Sequence, residues 1–266
     1  MLPNEKRASF GLVEDELIRI IDGNVFSRFD LTAKTYPITA VELLPPCVPG
    51  KIMGIGANYH SLLEAQGKPI PSVPKFFIKP TTSITATNTR IHLPNNIDNI
   101  VFEGEVGVVI GKECRHVRAN RAHEYILGYT CFNDVTNVSM IQQTGAWGIG
   151  KGADTFSPMG PYILLTNEVR PLWIQSRLNG KLVQNDSTDG LIFNIPFVIS
   201  YISNYMTLQP GDIIATGSPA GSIALKSGDR IEIEVEGIGT LHNEIIMEGE
   251  PDDYRKNRSN TSCLRT

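Results

Sequence analysis

Residues 101–112 read VFEGEVGVVIGK, and residues 128–136 read GYTCFNDVT. Strand side chains alternate faces, so Glu103 and Glu105 project from one side with Gly104 between them on the other. The apolar residues that follow, Val106, Val108, Val109 and Ile110, predict a strand buried on at least one face. Two neighbouring carboxylates at the head of such a strand repel each other and are costly to take out of water. A divalent cation held by both removes that cost. Asp134 ends the second apolar stretch and offers a third carboxylate. Three oxygen ligands of this kind suit Mg2+ or Mn2+, which keep waters that a substrate can displace. The competing reading puts Glu103 and Glu105 on the solvated face of an edge strand, because E-x-E is a common pattern.

At 266 residues, with 41% apolar and 20% charged residues, the chain suits one large folded domain, alone or with a small appendage. A formal net charge of −4 gives no electrostatic reason to expect a nucleic acid or an anionic membrane as partner. No apolar run reaches membrane-spanning length, and the opening MLPNEKRASF lacks the apolar segment of a secretory signal. Cys47, Cys114, Cys131 and Cys263 are scattered, without C-x-x-C spacing, and read as reduced, packed thiols of a cytoplasmic protein rather than zinc ligands.

Taken in order, residues 1–48 form a small N-terminal β unit, in which SFGLVEDELIRIIDGNVF makes a hairpin or meander around an Asp22-Gly23 turn. The Pro-rich LLPPCVPGK links it to the main body, residues 49–247. There KIMGIGANYH is a strand ending in small residues, HSLLEAQG a short helix stopped by Gly67 and Pro69, and KFFIKP a strand with Lys79 at its end. ANRAHEYILGYTCF has room for one or two helical turns. FNIPFVISYISNYM is an amphipathic helix whose apolar face is Ile195, Val198, Ile199, Ile202 and Tyr205. LQPGDIIATGSPAG and LKSGDRIEIEVEGIGTLHNEI are strand–turn–strand patterns. In the latter Ile231, Ile233 and Val235 alternate with Glu232, Glu234 and Glu236, a half-buried strand whose glutamates face solvent. Residues 248–266 read as a polar, frayed tail. The fold class is therefore mixed and β-rich (α+β), with short helices.

These segments together resemble the fumarylacetoacetate hydrolase family, in its shorter, bacterial, acylpyruvase-like form. From about Lys51 to Ile246 the order is GANY, FFIKP, FEGEVGVVIGK, GYTCFNDVT, GKGADTFSPMGP, NGKLVQ, a helix, PGDIIATGSPAG and LKSGDRIEIEVEGIGTLHN. The resemblance implies a mixed β-roll, a homodimer, and Mg2+ (or Mn2+) held by Glu103, Glu105 and Asp134. It also implies a small 2-oxo-acid or 1,3-dicarbonyl substrate that chelates the cation, which stabilises the enolate formed as an adjacent bond breaks. Lys151 matches the family lysine near the substrate oxygens; the alternative is a surface lysine in a Gly-rich loop. Lys79 matches the lysine of the FFIKP motif, either steadying a ligand carboxylate or substrate group or serving the fold alone. Thr216 and Ser218 fall where the family's backbone and hydroxyls meet substrate, Ser218 replacing a frequent threonine.

Two departures bear on the reaction. Family hydrolases carry a water-activating histidine four residues after the asparagine of the Asn-Tyr pair and a glutamate three later. Those positions are Leu62 and Ala65 here. His60 and Glu64 lie nearby, four apart and on one helical face, and are candidates for a substitute base and its orienting partner, or for plain surface residues. After Asp134 the family's Ala-Arg-Asp is replaced by Asn137, Val138, Ser139 and Ile141, so a substrate carboxylate loses its bidentate arginine. Gln142 and Gln143 are close to the family glutamine but out of register, and Gln142 is taken as a candidate substrate-binding residue. Three readings follow: C–C bond hydrolysis; enolate chemistry without activated water, as in an isomerase, tautomerase, decarboxylase or tailoring enzyme; and a non-catalytic metal- and ligand-binding homologue.

Overall fold

A computed structural model describes residues 8–95 and 98–249. The expected polar tail, residues 248–266 with Cys263, lies outside the described residues save for Glu248 and Gly249. The chain divides into two compact units, one with residues 8–44 and the other Pro45–Glu248.

The first unit is an antiparallel meander of β1 (Gly11–Glu14), β2 (Leu17–Gly23) and β3 (Phe29–Pro37). Ile18 and Ile20 are its buried residues, with Val13 and Tyr36 packed against them. The turn expected at Asp22-Gly23 is displaced. Both residues still belong to β2, pairing with Asp30 and Phe29. The chain reverses just after them, where Asn24 accepts from Phe26 N through its side chain. An earlier reversal at Asp15, with φ +56°, uses the tolerance of aspartate for the left-handed region.

The second unit carries the strands β4 (Ile52–Gly56), β5 (Lys75–Lys79), β6 (Ile84–Thr85), β7 (Thr89–Leu93), β8 (Ile100–Val101), β9 (Gly104–Ile110), β10 (Ile126–Asn133), β11 (Thr136–Asn137), β12 (Ser157–Leu165), β13 (Trp173–Leu178), β14 (Lys181–Ser187), β15 (Ile213–Ala215), β16 (Arg230–Val235) and β17 (Gly239–Met247). Seven of them form a mixed sheet in the order β5-β4-β15-β9-β10-β12-β6, and five form a second in the order β14-β13-β16-β17-β7. β8 and β11 pair as a two-stranded ribbon. Every residue of β9 is buried, and its neighbours β15 and β10 both run antiparallel to it. The unbroken apolar character of residues 106–110 has this cause: the strand is covered on both faces. β16 is covered on one face only, so Ile231, Ile233 and Val235 are buried and Glu234 is exposed, as its alternation implies.

Among the described residues four short α-helices fill connections: α1 (His60–Gln66), α2 (Val138–Thr144), α3 (Trp147–Lys151) and α4 (Ile195–Ser203). Gly67 ends α1 in the left-handed region at φ +61°, where a glycine carries no steric penalty. Asn194 caps α4, and Ile195, Val198, Ile199 and Ile202 are buried as the pattern requires. Tyr205 is not part of that face. The helix has ended by then, and the ring is 62% exposed beside Tyr201. ANRAHEY forms a single 3-10 segment rather than α-helix. PGDIIATGSPAG holds one strand, β15, not two. Positive φ at Gly217 and Gly221, with Pro219 between, breaks any continuation, and Asn58 Nδ2 takes the carbonyl of Thr216 at 2.8 Å.

Candidate metal and substrate site

The register of β9 against β10 builds the site. Asn133 pairs with Gly104, so the residues that flank the pair, Glu103 and Asp134, emerge side by side, with Asp134 N donating to Glu103 O at 2.9 Å. One carboxylate oxygen from each of Glu103, Glu105 and Asp134 lies within 4.8 Å of the other two. Glu105 and Asp134 are buried; the Glu103 side chain keeps 23% exposure. A central strand and its neighbour thus aim three anionic groups at one point.

Two lysines answer that charge. Lys151, at the last position of α3, donates to Glu103 Oε2 at 2.7 Å, to Thr136 Oγ1 at 2.6 Å and to Asp134 Oδ2. Its ammonium also lies 4.8 Å from the centroid of the Phe77 ring. Lys79, the last residue of β5, donates to the other oxygen of Asp134 and to Phe156 O at 2.7 Å. Both lysines are buried, so Lys151 is not the surface residue of the alternative reading, while the burial of Lys79 suits either of its two roles. Burial works against charge on Asp134, but the Lys151 and Lys79 ammoniums outweigh it and hold the carboxyl below its usual range. Burial likewise opposes charge on Lys151, and the Asp134 and Glu103 carboxylates reverse that, leaving its pKa raised. Lys151 is therefore a fixed cation and not a proton acceptor near neutral pH.

Glu105 is the under-compensated member. Burial, then the charges of Asp134 and Glu103, push its pKa well above the ordinary carboxylate value; Lys151 and a hydrogen bond from Gly217 N at 2.7 Å pull only partly the other way. A second positive charge beside Glu105 satisfies this set. The donors are hard carboxylate oxygens with no thiol or imidazole among them, which fits Mg2+ or Mn2+ rather than zinc or copper.

The loop after β15 reaches the carboxylates through Gly217. Thr216 turns its hydroxyl to Val106 O at 2.9 Å, and Ser218 Oγ accepts from Gln184 Nε2 at 2.8 Å. His60 and Glu64 are exposed on α1, and Gln142 is exposed on α2; the structure does not gather these three into the buried cluster. Asn137, where the family sequence changes, caps α2 by accepting from Met140 N. Three participants escape a reading of spacing. Thr136 bridges Lys151 and Glu103, Asn58 pins Thr216 and Phe193, and Gln184 reaches across from the second sheet. Each is a polar residue at a strand or loop position that is buried, and burial is what the sequence does not display.

The chain is similar to proteins already known. The model for the fumarylacetoacetate (FAA) hydrolase C-terminal domain matches residues 51–246, and that for the Rv2993c-like N-terminal domain matches residues 3–46. A 2,4-didehydro-3-deoxy-L-rhamnonate hydrolase of Sphingomonas sp. (strain SKA58) is 38% identical over 208 residues, 74% of this chain and 73% of that protein. The crystal structure of 2-hydroxyhepta-2,4-diene-1,7-dioate isomerase from Mycobacterium marinum superposes with a TM-score of 0.82 at 37% identity, covering 88% of this chain and 89% of that one. A maleylpyruvate hydrolase from Sphingobium sp. SYK-6, solved with manganese(II) and pyruvate, gives a TM-score of 0.70 at 32% identity, over 82% of this chain and 77% of the other. With the family model spanning the whole β-rich body and relatives of this similarity on both sides, the chain belongs to the fumarylacetoacetate hydrolase family.

Proposed function

We propose that the protein is a metal-dependent enzyme that acts on a small 2-oxo-acid or 1,3-dicarbonyl compound, and that its reaction is hydrolysis of a C–C bond. The observation that carries this reading is the convergence of Glu103, Glu105 and Asp134 within 4.8 Å, with Lys151 bonded into the group. Those three carboxylates would hold Mg2+ or Mn2+, the latter present in a hydrolase relative. A cation bound there supplies Lewis-acid polarisation of a chelated dicarbonyl and a counter-charge for developing enolate character. Lys151 contributes a permanent ammonium beside the substrate oxygens, fixed by Thr136 and two carboxylates so that it needs no reorganisation during reaction. Lys79 holds Asp134 in place. On this reading His60, with Glu64 one helical turn away, accepts the proton of the attacking water.

A second reading rests on a specific observation: His60 and Glu64 are solvent-exposed, and positions 62 and 65 are Leu62 and Ala65. It keeps the carboxylates and lysines but uses no activated water, giving isomerisation, tautomerisation or decarboxylation; the relatives include an isomerase as well as hydrolases.

A 1H NMR time course in D2O separates the two. Acetylpyruvate, fumarylpyruvate and oxaloacetate would be incubated with protein and Mg2+, beside an EDTA-treated control. Two cleavage products, lost in His60→Ala, support hydrolysis. Metal-dependent deuterium exchange or CO2 release that survives His60→Ala supports the second reading. Turnover at full rate after EDTA treatment would defeat both.

A further inference from the structure

The glycine between the two metal-site glutamates is held from the opposite sheet. Gln184, on β14, is 1% exposed. Its Oε1 accepts from Gly104 N at 3.2 Å, and its Nε2 donates to Ser218 Oγ at 2.8 Å and Pro219 O at 2.9 Å. The orientation of the carboxamide is dictated by its partners, since a backbone N–H requires the oxygen and a backbone carbonyl requires the nitrogen. Access depends on Gly104 having no side chain. A Cβ there would lie 2.9 Å from Gln184 Oε1 and 2.2 Å from Ser176 Oγ.

A closed path results. Glu105 Oε2 accepts from Gly217 N; Gly217 is bonded to Ser218; Ser218 and Pro219 accept from Gln184; Gln184 accepts from Gly104, the neighbour of Glu105. One carboxamide thus joins the backbone between two carboxylates to the loop that steadies one of them. Both ends of that connection are buried, where an unmade hydrogen bond is expensive and a made one restricts motion.

We propose that Gln184 is a positioning residue of the cation site: it fixes the Glu103–Gly104–Glu105 backbone and the 216–219 loop relative to each other, so that cation affinity depends on its carboxamide. This rests on the metal reading given above. Groups that orient metal-ligating carboxylates from outside the coordination sphere commonly affect affinity tenfold to a hundredfold.

The test is a Mn2+ titration of the full-length protein without substrate, following free Mn2+ by electron paramagnetic resonance, with thermal unfolding in EDTA alongside. Gln184→Met keeps the volume and removes all three bonds; Ile174→Val, a buried change in the adjacent strand, serves as a control for general loosening. Gln184→Met is expected to weaken Mn2+ binding about tenfold or more, with Ile174→Val unchanged within twofold at whatever unfolding temperature it has. Binding within twofold of wild type in Gln184→Met overturns the proposal, as does an equal loss in Ile174→Val. Should Gln184→Met fail to fold, Ser218→Ala takes its place, removing the Ser218 arm alone; unchanged affinity there overturns it too. A wild-type protein that takes up no Mn2+ fails the metal reading itself, a different result from a wild type that binds and a variant that binds equally well.

Discussion

Two segments of this chain carry glutamates at the same spacing, and they end in opposite environments. Glu103 and Glu105 flank Gly104 at the start of β9; Glu232 and Glu234 flank Ile233 in β16. Both strands are interior to their sheets, β9 between β15 and β10, β16 between β13 and β17. Position in the sheet therefore does not separate them. The middle residue and the covering of the faces do. Ile233 is fully buried, which turns its neighbours outward, where Glu234 meets Arg177 at 3.0 Å with half its side chain in water. Gly104 carries nothing into the core, and Ile233 Cγ1 packs 3.4 Å from where its Cβ would be. The two motifs meet at their centres, Ile233 lying against Gly104 while Ser176 Oγ and Gln184 Oε1 occupy the space a side chain there would take. Carboxylates on a strand covered on one side are solubilising surface; on a strand covered on both sides they are costly unless something binds them.

The largest way to break this contrast is Asp134→Ala. It removes the shared partner of two buried ammoniums, Lys79 and Lys151. Breaking a buried pair leaves an uncompensated charge worth about 3–5 kcal/mol, so we expect an unfolding temperature lower by roughly 10 °C and no measurable Mn2+ binding. Calorimetry in EDTA reads the first and a Mn2+ titration the second. A loss below about 1 kcal/mol would mean that the lysines find other partners and that the carboxylates are not needed to hold the site together.

The contrast also marks how far the sequence could be read. Apolar runs located β9 and β10, the alternation of Ile231, Ile233 and Val235 located β16, and Gly67 located the end of α1, because each signal is local and periodic. Glu103, Glu105 and Asp134 were legible as a group through the resemblance to the family's motifs, since their spacing alone left the solvated edge-strand reading open. What local pattern cannot carry is pairing at long separation. Gln184 lies 80 residues from Gly104 in the chain, and although it ends the NGKLVQ motif, no periodicity around it distinguishes a buried amide from a surface one. The same holds for Tyr205. It continues the three- and four-residue step of α4, but helix termination at Ser203 is decided by the chain turning away, not by periodicity. In the first unit the Asp-Gly pair marked a turn one step too early, since Gly23 with φ +108° closes β2 before the reversal.

Glu105→Gln sharpens the comparison through pH. The native carboxyl of Glu105 has a raised pKa, chiefly from burial and then from Asp134 and Glu103. An acid whose folded pKa exceeds its unfolded one contributes stability that is complete below the unfolded value and is lost as pH rises through the folded value. In EDTA the wild-type protein therefore forfeits this contribution as pH climbs above the ordinary glutamate range, and Glu105→Gln, which retains an acceptor for Gly217 N, does not. The difference in unfolding temperature between variant and wild type should move in favour of the variant from pH 5 to pH 8. Asp134, whose pKa is depressed, acts in the opposite sense and only at the acid end, below this pH window. With Mn2+ present the order reverses, because the cation stabilises only the protein that retains its carboxylate. A pH-independent difference would show that Glu105 titrates as an ordinary surface group.

The smallest effect belongs to the other motif. Glu234→Gln removes the charge facing Arg177, and Glu232→Gln the one 3.7 Å from His242, all with side chains between 31% and 49% exposed. Exposed ion pairs contribute about 0–1 kcal/mol and are screened by salt. Each substitution should shift the unfolding temperature by no more than a degree or two, less in 0.5 M salt, and should leave Mn2+ affinity within twofold of wild type. The same chemical change, a carboxylate to its amide, is then severe in β9 and nearly silent in β16. If Glu234→Gln instead weakened Mn2+ binding tenfold, the effect would have to travel through Ile233 to Gly104, since that contact joins the two motifs directly. Isoleucine packing would then belong with Gln184 among the determinants of the site, and the division between a functional and a solubilising pair of glutamates would fail.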